Sequence, residues 1–163
     1  MTKKLFLMRH SEATSYASND YKRELTEFGK SLVKKKAIIL SEFLEKKNLK
    51  LEHCFYSSAK RTSQTFDILI KSMDIKIENN KTRALYLSGI KELKNILKSY
   101  KKEIETKENL LIIGHNFGIS DIASILSGKN IYMDVGDIVV LEIDVKQTWQ
   151  DLLDFEGSWD IIS

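Results

Sequence analysis

The sequence predicts an α/β fold of three layers, with a largely parallel central sheet and helices on both faces. Three observations carry this. Short apolar runs of strand length alternate with longer stretches of helical periodicity along the whole chain. No internal repeat, low-complexity linker or composition break divides the 163 residues, so one domain over 1–163 is expected. A hydrophobic content of 42% suffices for one core in a chain of this size.

In chain order, "KLFLM" (4–8) reads as the first strand. Thr26 is placed to cap a helix reaching about Lys47, with Phe28, Leu32, Val33, Ile39, Leu40, Phe43 and Leu44 as its apolar face. "LEHCFYSS" (51–58) is a second strand, followed by a helix from about Ala59 to Ser72 that carries Phe66, Leu69 and Ile70. "IKIE" and "RALYL" read as short extended pieces, and Ser88 starts a helix ending near Lys102. "NLLIIG" (109–114) is the most strand-like segment. It leads into a helix from about Phe117 to Leu126 that Gly128 stops, and "DIVVLEID" (137–144) is a further strand.

Composition narrows the function. Net charge is +3 with 30% charged residues, a mildly basic balance that does not indicate nucleic acid as a partner. No apolar stretch reaches membrane-spanning length. The apolar run in "MTKKLFLM" stops at Arg9, short of the roughly 7–15 residues of a signal-peptide core. One cysteine, Cys54, allows no internal disulfide and no cysteine-only zinc site. A cytoplasmic monomer without membrane contact is the expectation.

In parallel sheets, ligands sit beyond the carboxyl ends of the strands, and three strand ends here carry polar residues that a core would not choose. The first ends in "RHSEA" (9–13), the second in "SSAKRTSQT" (57–65), and "LLIIG" runs into "HNFGIS" (115–120). If these ends converge, Arg9, His10, Arg61 and His115 surround one point beside a helix N-terminus. Two guanidiniums and two imidazoles in that setting suit a tetrahedral dianion. Asn116 and Ser57, next to these residues, are candidate hydrogen-bond donors to phosphate or, alternatively, caps of the turn before a helix. The expected site is therefore a phosphoryl pocket of Arg9, His10, Arg61 and His115, with Asn116 and Ser57 beside it.

Over nearly its whole length the chain resembles the histidine phosphatase superfamily, also called phosphoglycerate mutase-like, and within it the short SixA-type phosphohistidine phosphatases. "MRHSEA" matches the Arg-His-Gly box, "LTEFG" (25–29) the Leu-Thr-x-x-Gly helix entry, "YSSAKRTSQT" the second-arginine box and "IIGHNFGIS" the second histidine. Ser11 stands where the first box commonly has Gly, and Phe117 where Pro often follows; neither change removes a reacting group. The resemblance implies that His10 is the nucleophile, that Arg9 and Arg61 hold the phosphate, and that His115 is the second pocket histidine. It also implies a phosphoglycerate mutase-like fold without a large lid insertion.

The residues support this chemistry directly. An imidazole that attacks phosphorus must be neutral, with its other nitrogen protonated and held by a carbonyl. Arg9 and Arg61 disfavour imidazolium and stabilise the transferring oxygens, so no metal or cofactor is implied. The loop "TRALYLSGI" (82–90), where relatives carry a general acid, has no carboxylate; Glu12, Glu78 and Glu92 are the nearest alternatives. An alkoxide leaves poorly without an acid, whereas imidazole leaves as a neutral ring. The expected substrate is thus a phosphorylated protein, specifically a phosphohistidine domain. A small phosphate ester, or a pseudoenzyme that only binds phosphoryl groups, is the alternative. His53 reads as structural, Cys54 as a core residue and the lysine-rich stretches (Lys34 to Lys36, Lys46, Lys47, Lys101, Lys102) as solvated helix faces.

Overall fold

In the computed structural model, residues 2–163 are described. They run β1 (Lys3–Arg9), α1 (Glu27–Lys47), β2 (His53–Ser57), α2 (Lys60–Met73), β3 (Glu78–Thr82), α3 (Ile90–Ser99), α4 (Lys101–Ile104), β4 (Asn109–Gly114), α5 (Gly118–Ser127), β5 (Ile138–Ile143), α6 (Trp149–Leu152) and β6 (Asp160–Ile161). The strands form one sheet in the order β3-β2-β4-β1-β5-β6. The pairs β1–β4, β2–β4 and β2–β3 are parallel, whereas β5 runs antiparallel to β1 and β6 antiparallel to β5. Among the described residues no helix is long and apolar enough to cross a membrane.

The central strands are apolar throughout because both their faces are covered. Leu5 and Leu7 of β1, with Leu110 and Ile112 of β4, pack beneath α3, α5 and α6 through Leu93, Ile122 and Trp149. Phe6 and Met8, with Leu111 and Ile113, pack beneath α1 and α2 through Val33, Leu40 and Leu69. The alternation follows from the two-residue period of a strand.

The element ends show where local sequence decides. Thr26 caps α1, its hydroxyl accepting from the Gly29 N–H at 2.9 Å. The buried face of α1 is narrower than the sequence predicts: Val33, Ala37, Leu40 and Leu44 are covered, while Phe28 and Ile39 are more than half exposed. Ile39 is rotated about 100° from Leu40 around the helix axis, beyond the reach of the sheet. Neither "IKIE" nor "RALYL" is the edge strand; β3 is the polar "ENNKT" between them, and Arg83–Leu85 form a 3-10 turn. An edge strand bonded only to β2 has no second strand to match and tolerates a polar sequence. Gly89, not Ser88, caps α3, with the Glu92 carboxylate accepting from its N–H at 2.9 Å. Gly128 ends α5 at φ +69°, a conformation suited to glycine. The segment after β5, for which the sequence reading offered no element, buries Trp149 and Trp159 and supplies β6. Between α2 and α3 lie only β3 and the 3-10 turn, so no large insertion covers the carboxyl ends of the strands.

The first turn of α1 also fixes the loop after β1. Thr26 N–H donates to the Glu12 carbonyl at 3.0 Å, and the Ser11 hydroxyl donates to the Gly29 carbonyl at 2.7 Å. The approach is so close that a Cβ on Gly29 would fall 2.1 Å from the Glu12 carbonyl oxygen. Although alanine is the better helix former, Gly29→Ala is expected to destabilise the fold by about 1–3 kcal/mol through overpacking. Urea denaturation checks this, and a variant as stable as the parent would contradict the packing.

Candidate active site

β1, β4 and β2 lie side by side in parallel, so their carboxyl ends deliver Arg9, His10, His115 and Ser57 to one place. His10 is tied to the neighbouring strand by its N–H, which donates to the Gly114 carbonyl at 3.0 Å. Arg61 enters from the first turn of α2 and is 2% exposed.

Hydrogen bonding assigns both imidazole tautomers. His10 Nδ1 lies 2.7 Å from the Ser11 carbonyl, which only accepts, so Nδ1 carries the proton. His10 Nε2 therefore presents its lone pair, at 3.2 Å from Arg61 Nε–H. His115 Nδ1 lies 3.2 Å from Arg61 Nη2, which only donates, so the proton of His115 sits on Nε2 and reaches Ser57 Oγ at 2.7 Å. Thr62 Oγ1 is 3.3 Å from the same nitrogen. The two ring centroids are 5.1 Å apart, with both lone pairs turned to one guanidinium.

The remaining Arg61 hydrogens go to Asp20. Nη1 donates to its carbonyl at 2.7 Å and Nη2 to its carboxylate at 3.0 Å. The Tyr86 hydroxyl donates to the same carboxylate, and Arg23 approaches it at 3.0 Å. Tyr86 also sets its ring edge against His115, with centroids 5.3 Å apart. Arg9 is fixed from the loop before β5: Nη1 donates to the Met133 carbonyl at 3.1 Å and lies 3.9 Å from the Asp134 carboxylate. Its Nε is buried without a hydrogen-bond partner.

Burial is the first cause holding His10 neutral, pushing its pKa down to about 4; Arg61, Arg9 and Arg23 add to this while the Ser11 carbonyl opposes it. The sequence reading credited the arginines alone. His115 is lowered to about 3, by burial first and then by His10 and Arg61. Asp20 is held well below the usual carboxylate range, first by the Tyr86 hydroxyl and then by Arg23 and Arg61, and the phenol of Tyr86 is raised in return.

Arg9, His10, Arg61, His115 and Ser57 are thus brought together. Asn116 braces the adjoining loop, its amide donating to the Met133 carbonyl at 3.0 Å and accepting from Ser120 Oγ at 2.5 Å. None of the three alternative acids reaches the pocket. The Glu12 carboxylate accepts from Thr26 Oγ1 at 2.8 Å, and Glu92 is spent on its cap. Glu78 opens β3 at the far end of the sheet, beside Lys107 and His53. The carboxylate at the site is Asp20, which sequence reasoning missed. Its local signal is a turn, with Asn19 accepting from Lys22 N–H at 3.1 Å, and nothing in its spacing points to Arg61. His53 is buried, 2.7 Å from Asn80 Oδ1 and stacked on Phe55. Burial pushes the Cys54 thiol well up, so it is inert core.

No protein-family model matches the chain. The SixA protein histidine phosphatase complexed with tungstate superposes with a TM-score of 0.75 at 17% identity, covering 97% of this chain and 93% of that one. A SixA phosphohistidine phosphatase of Nakamurella multipartitia gives 0.75 at 22% identity over 99% and 94% of the two chains. In sequence, phosphoglycerate mutase 3 of Saccharomyces cerevisiae is 31% identical over 83 residues; these are 48% of this chain and 27% of the mutase, so the match spans little more than a quarter of that relative. The fold is the phosphoglycerate mutase-like fold that these SixA structures share. Within it, the chain has the compact SixA form over nearly its full length.

The two lowered histidines set a pH dependence of stability. Both have folded pKa values below the ordinary 6.5, so between pH 6.5 and about 4 the unfolded chain binds protons that the fold does not. Stability is therefore complete above this window and is lost as pH falls through it, by up to about 1.4 kcal/mol per pH unit for each histidine. Urea midpoints at pH 7 and pH 5 measure this, and His115→Asn should reduce the loss. A parent protein equally stable at both pH values would contradict the buried neutral pair.

Proposed function

We propose that the protein is a metal-independent phosphatase that passes a phosphoryl group through His10, and that its substrate is a phosphohistidine carried by a protein. The observation that carries this reading is the convergence of two neutral imidazole lone pairs on the buried guanidinium of Arg61. His10 Nε2 attacks phosphorus while the guanidiniums of Arg9 and Arg61 receive the phosphoryl oxygens, and His115, its Nε2–H given to Ser57, keeps its Nδ1 lone pair on Arg61. The bond from phosphorus to the substrate nitrogen breaks, and its electron pair leaves with the substrate ring. Water then attacks phospho-His10; the P–N bond breaks back to Nε2, and both protons of the water depart with inorganic phosphate, as H2PO4−. Because Nδ1 keeps its proton on the Ser11 carbonyl throughout, His10 leaves as neutral imidazole.

The proton inventory supports this choice of substrate. His10 and His115 are held neutral, Asp20 is held ionised, and the Tyr86 phenol, raised and hydrogen-bonded to Asp20, keeps its proton more tightly, so none of these groups is an acid poised near pH 7 for a leaving alkoxide. A phosphohistidine whose far nitrogen has taken a proton from water needs no such donor. The likeness in fold to two SixA proteins, one a protein histidine phosphatase complexed with the oxyanion tungstate, supports this reading.

Quenched turnover is expected to leave acid-labile phosphate on His10, lost together with activity in His10→Ala; an active variant would overturn the mechanism. Arg61→Ala should lose about 3–4 kcal/mol of transition-state stabilisation, and Arg61→Lys should recover only part because a point charge lacks the fork. Single-turnover rates check both. A phosphohistidine protein should exceed phosphoserine and sugar phosphates in kcat/KM by about 10²–10⁴-fold, the usual contribution of a general acid, with activity surviving chelator. A higher kcat/KM on a small phosphomonoester would overturn the substrate assignment.

A further inference from the structure

We propose that the mouth of the pocket is a two-sided docking face for a polypeptide whose phosphohistidine has apolar residues on one flank and carboxylates on the other. This rests on the phosphohistidine phosphatase reading above.

The apolar side lies towards α5. Leu87, Phe117 and Tyr132 come from three separate loops and are 58%, 79% and 69% exposed. They are neighbours. A Cβ on Gly118 would fall 1.6 Å from the Ser88 carbonyl oxygen, so the chain at 117–118 lies against the chain at 87–89. Asn116 donates to the Met133 carbonyl, which draws 116–117 beside 132–133. The same loops hold the site, since Tyr86 touches His115 and the Met133 carbonyl holds Arg9. Single exposed apolar residues need no explanation, but three gathered at one mouth form a patch that a bound partner would cover.

The cationic side lies towards α2, at a cavity of about 360 Å³ whose lining includes Lys22, Lys60 and Lys81. It adjoins the pocket through Ser58, which follows the Ser57 that holds His115, and Tyr21, which follows the Asp20 that holds Arg61. Lys60 lies 3.9 Å from Glu24, whereas Lys22 and Lys81 form no ion pair among the described residues. Asp67 is the carboxylate in the lining, and Arg83 stacks over the Tyr21 ring at 4.6 Å. The cations outnumber the anions, so the complementary occupant is acidic. A small sugar phosphate held in the pocket has no apolar flank for the other side; a polypeptide reaches both, and contacts remote from phosphorus position the phosphoryl group.

Three probes test this: free phosphohistidine, a phosphohistidine peptide flanked by Leu on one side and Asp on the other, and the same peptide with Ser and Gln in those places. The parent should process the Leu/Asp peptide with kcat/KM about tenfold above the Ser/Gln peptide, as expected for one buried apolar side chain plus exposed ion pairs. Lys22→Glu with Lys81→Glu, and separately Phe117→Ser with Tyr132→Ser, should each draw that ratio towards one. In the parent alone, high salt should erode the acidic contribution and spare the apolar one. Turnover of free phosphohistidine with equal rates on the two peptides would overturn the docking face while leaving the phosphatase reading intact. No turnover of any of the three would overturn the phosphatase reading and the docking face with it.

Discussion

The site depends on how a buried guanidinium finds acceptors. Arg61 is almost wholly removed from water, and a cation there must be matched by neighbouring groups. Asp20 supplies both a carbonyl and a carboxylate, and the two imidazoles supply the rest. From this one group follow the tautomer of His115 and the direction of both lone pairs, while the Ser11 carbonyl holds the His10 proton and the Tyr86 hydroxyl leads in keeping Asp20 ionised. The same burial that demands partners for Arg61 also keeps both histidines neutral near pH 7.

Sheet topology makes that cluster possible. Parallel pairing of β1, β4 and β2 brings three carboxyl ends to one edge, and all three strands are interior to the sheet, flanked on both sides. The antiparallel β5 starts at that edge, so the loop before it can reach Arg9. Asp137 accepts from the Arg9 N–H at 3.0 Å, Gly136 N–H donates to the His10 carbonyl at 3.1 Å, and the Met133 carbonyl takes the Arg9 side chain. Behind the first box, α1 packs against the loop that carries Ser11, whose N–H donates to Thr65 of α2. Ser11 is therefore accommodated by hydrogen bonds on both its backbone and its side chain, in a position fully removed from solvent.

A pocket built this way stabilises negative charge strongly and supplies protons weakly. The carboxylate that stands closest to the reacting groups is committed to Arg61, Arg23 and Tyr86. Each of those contacts favours its charged form, so Asp20 orients the second arginine rather than serving as an acid. Such a balance suits leaving groups that depart without help.

Sequence by itself determined the α/β class, the strand at 109–114, the Thr26 cap, the Gly128 stop and four side chains of the candidate site. These are local signals: apolar period, capping chemistry, and polar residues at strand ends where a core would not choose them. What only the tertiary structure decided are properties of pairs distant along the chain. Asp20 meets Arg61 across 41 positions, and Tyr86 meets Asp20 across 66. The edge strand "ENNKT" carries no apolar signal and forms because β2 offers it a ladder. The narrow buried face of α1, the commitment of Asn116 to its own loop and the tethering of Glu12, Glu78 and Glu92 away from the pocket are likewise outcomes of packing. A residue type states what chemistry a side chain can perform; burial and its neighbours, which the linear order does not contain, select the protonation state and the role.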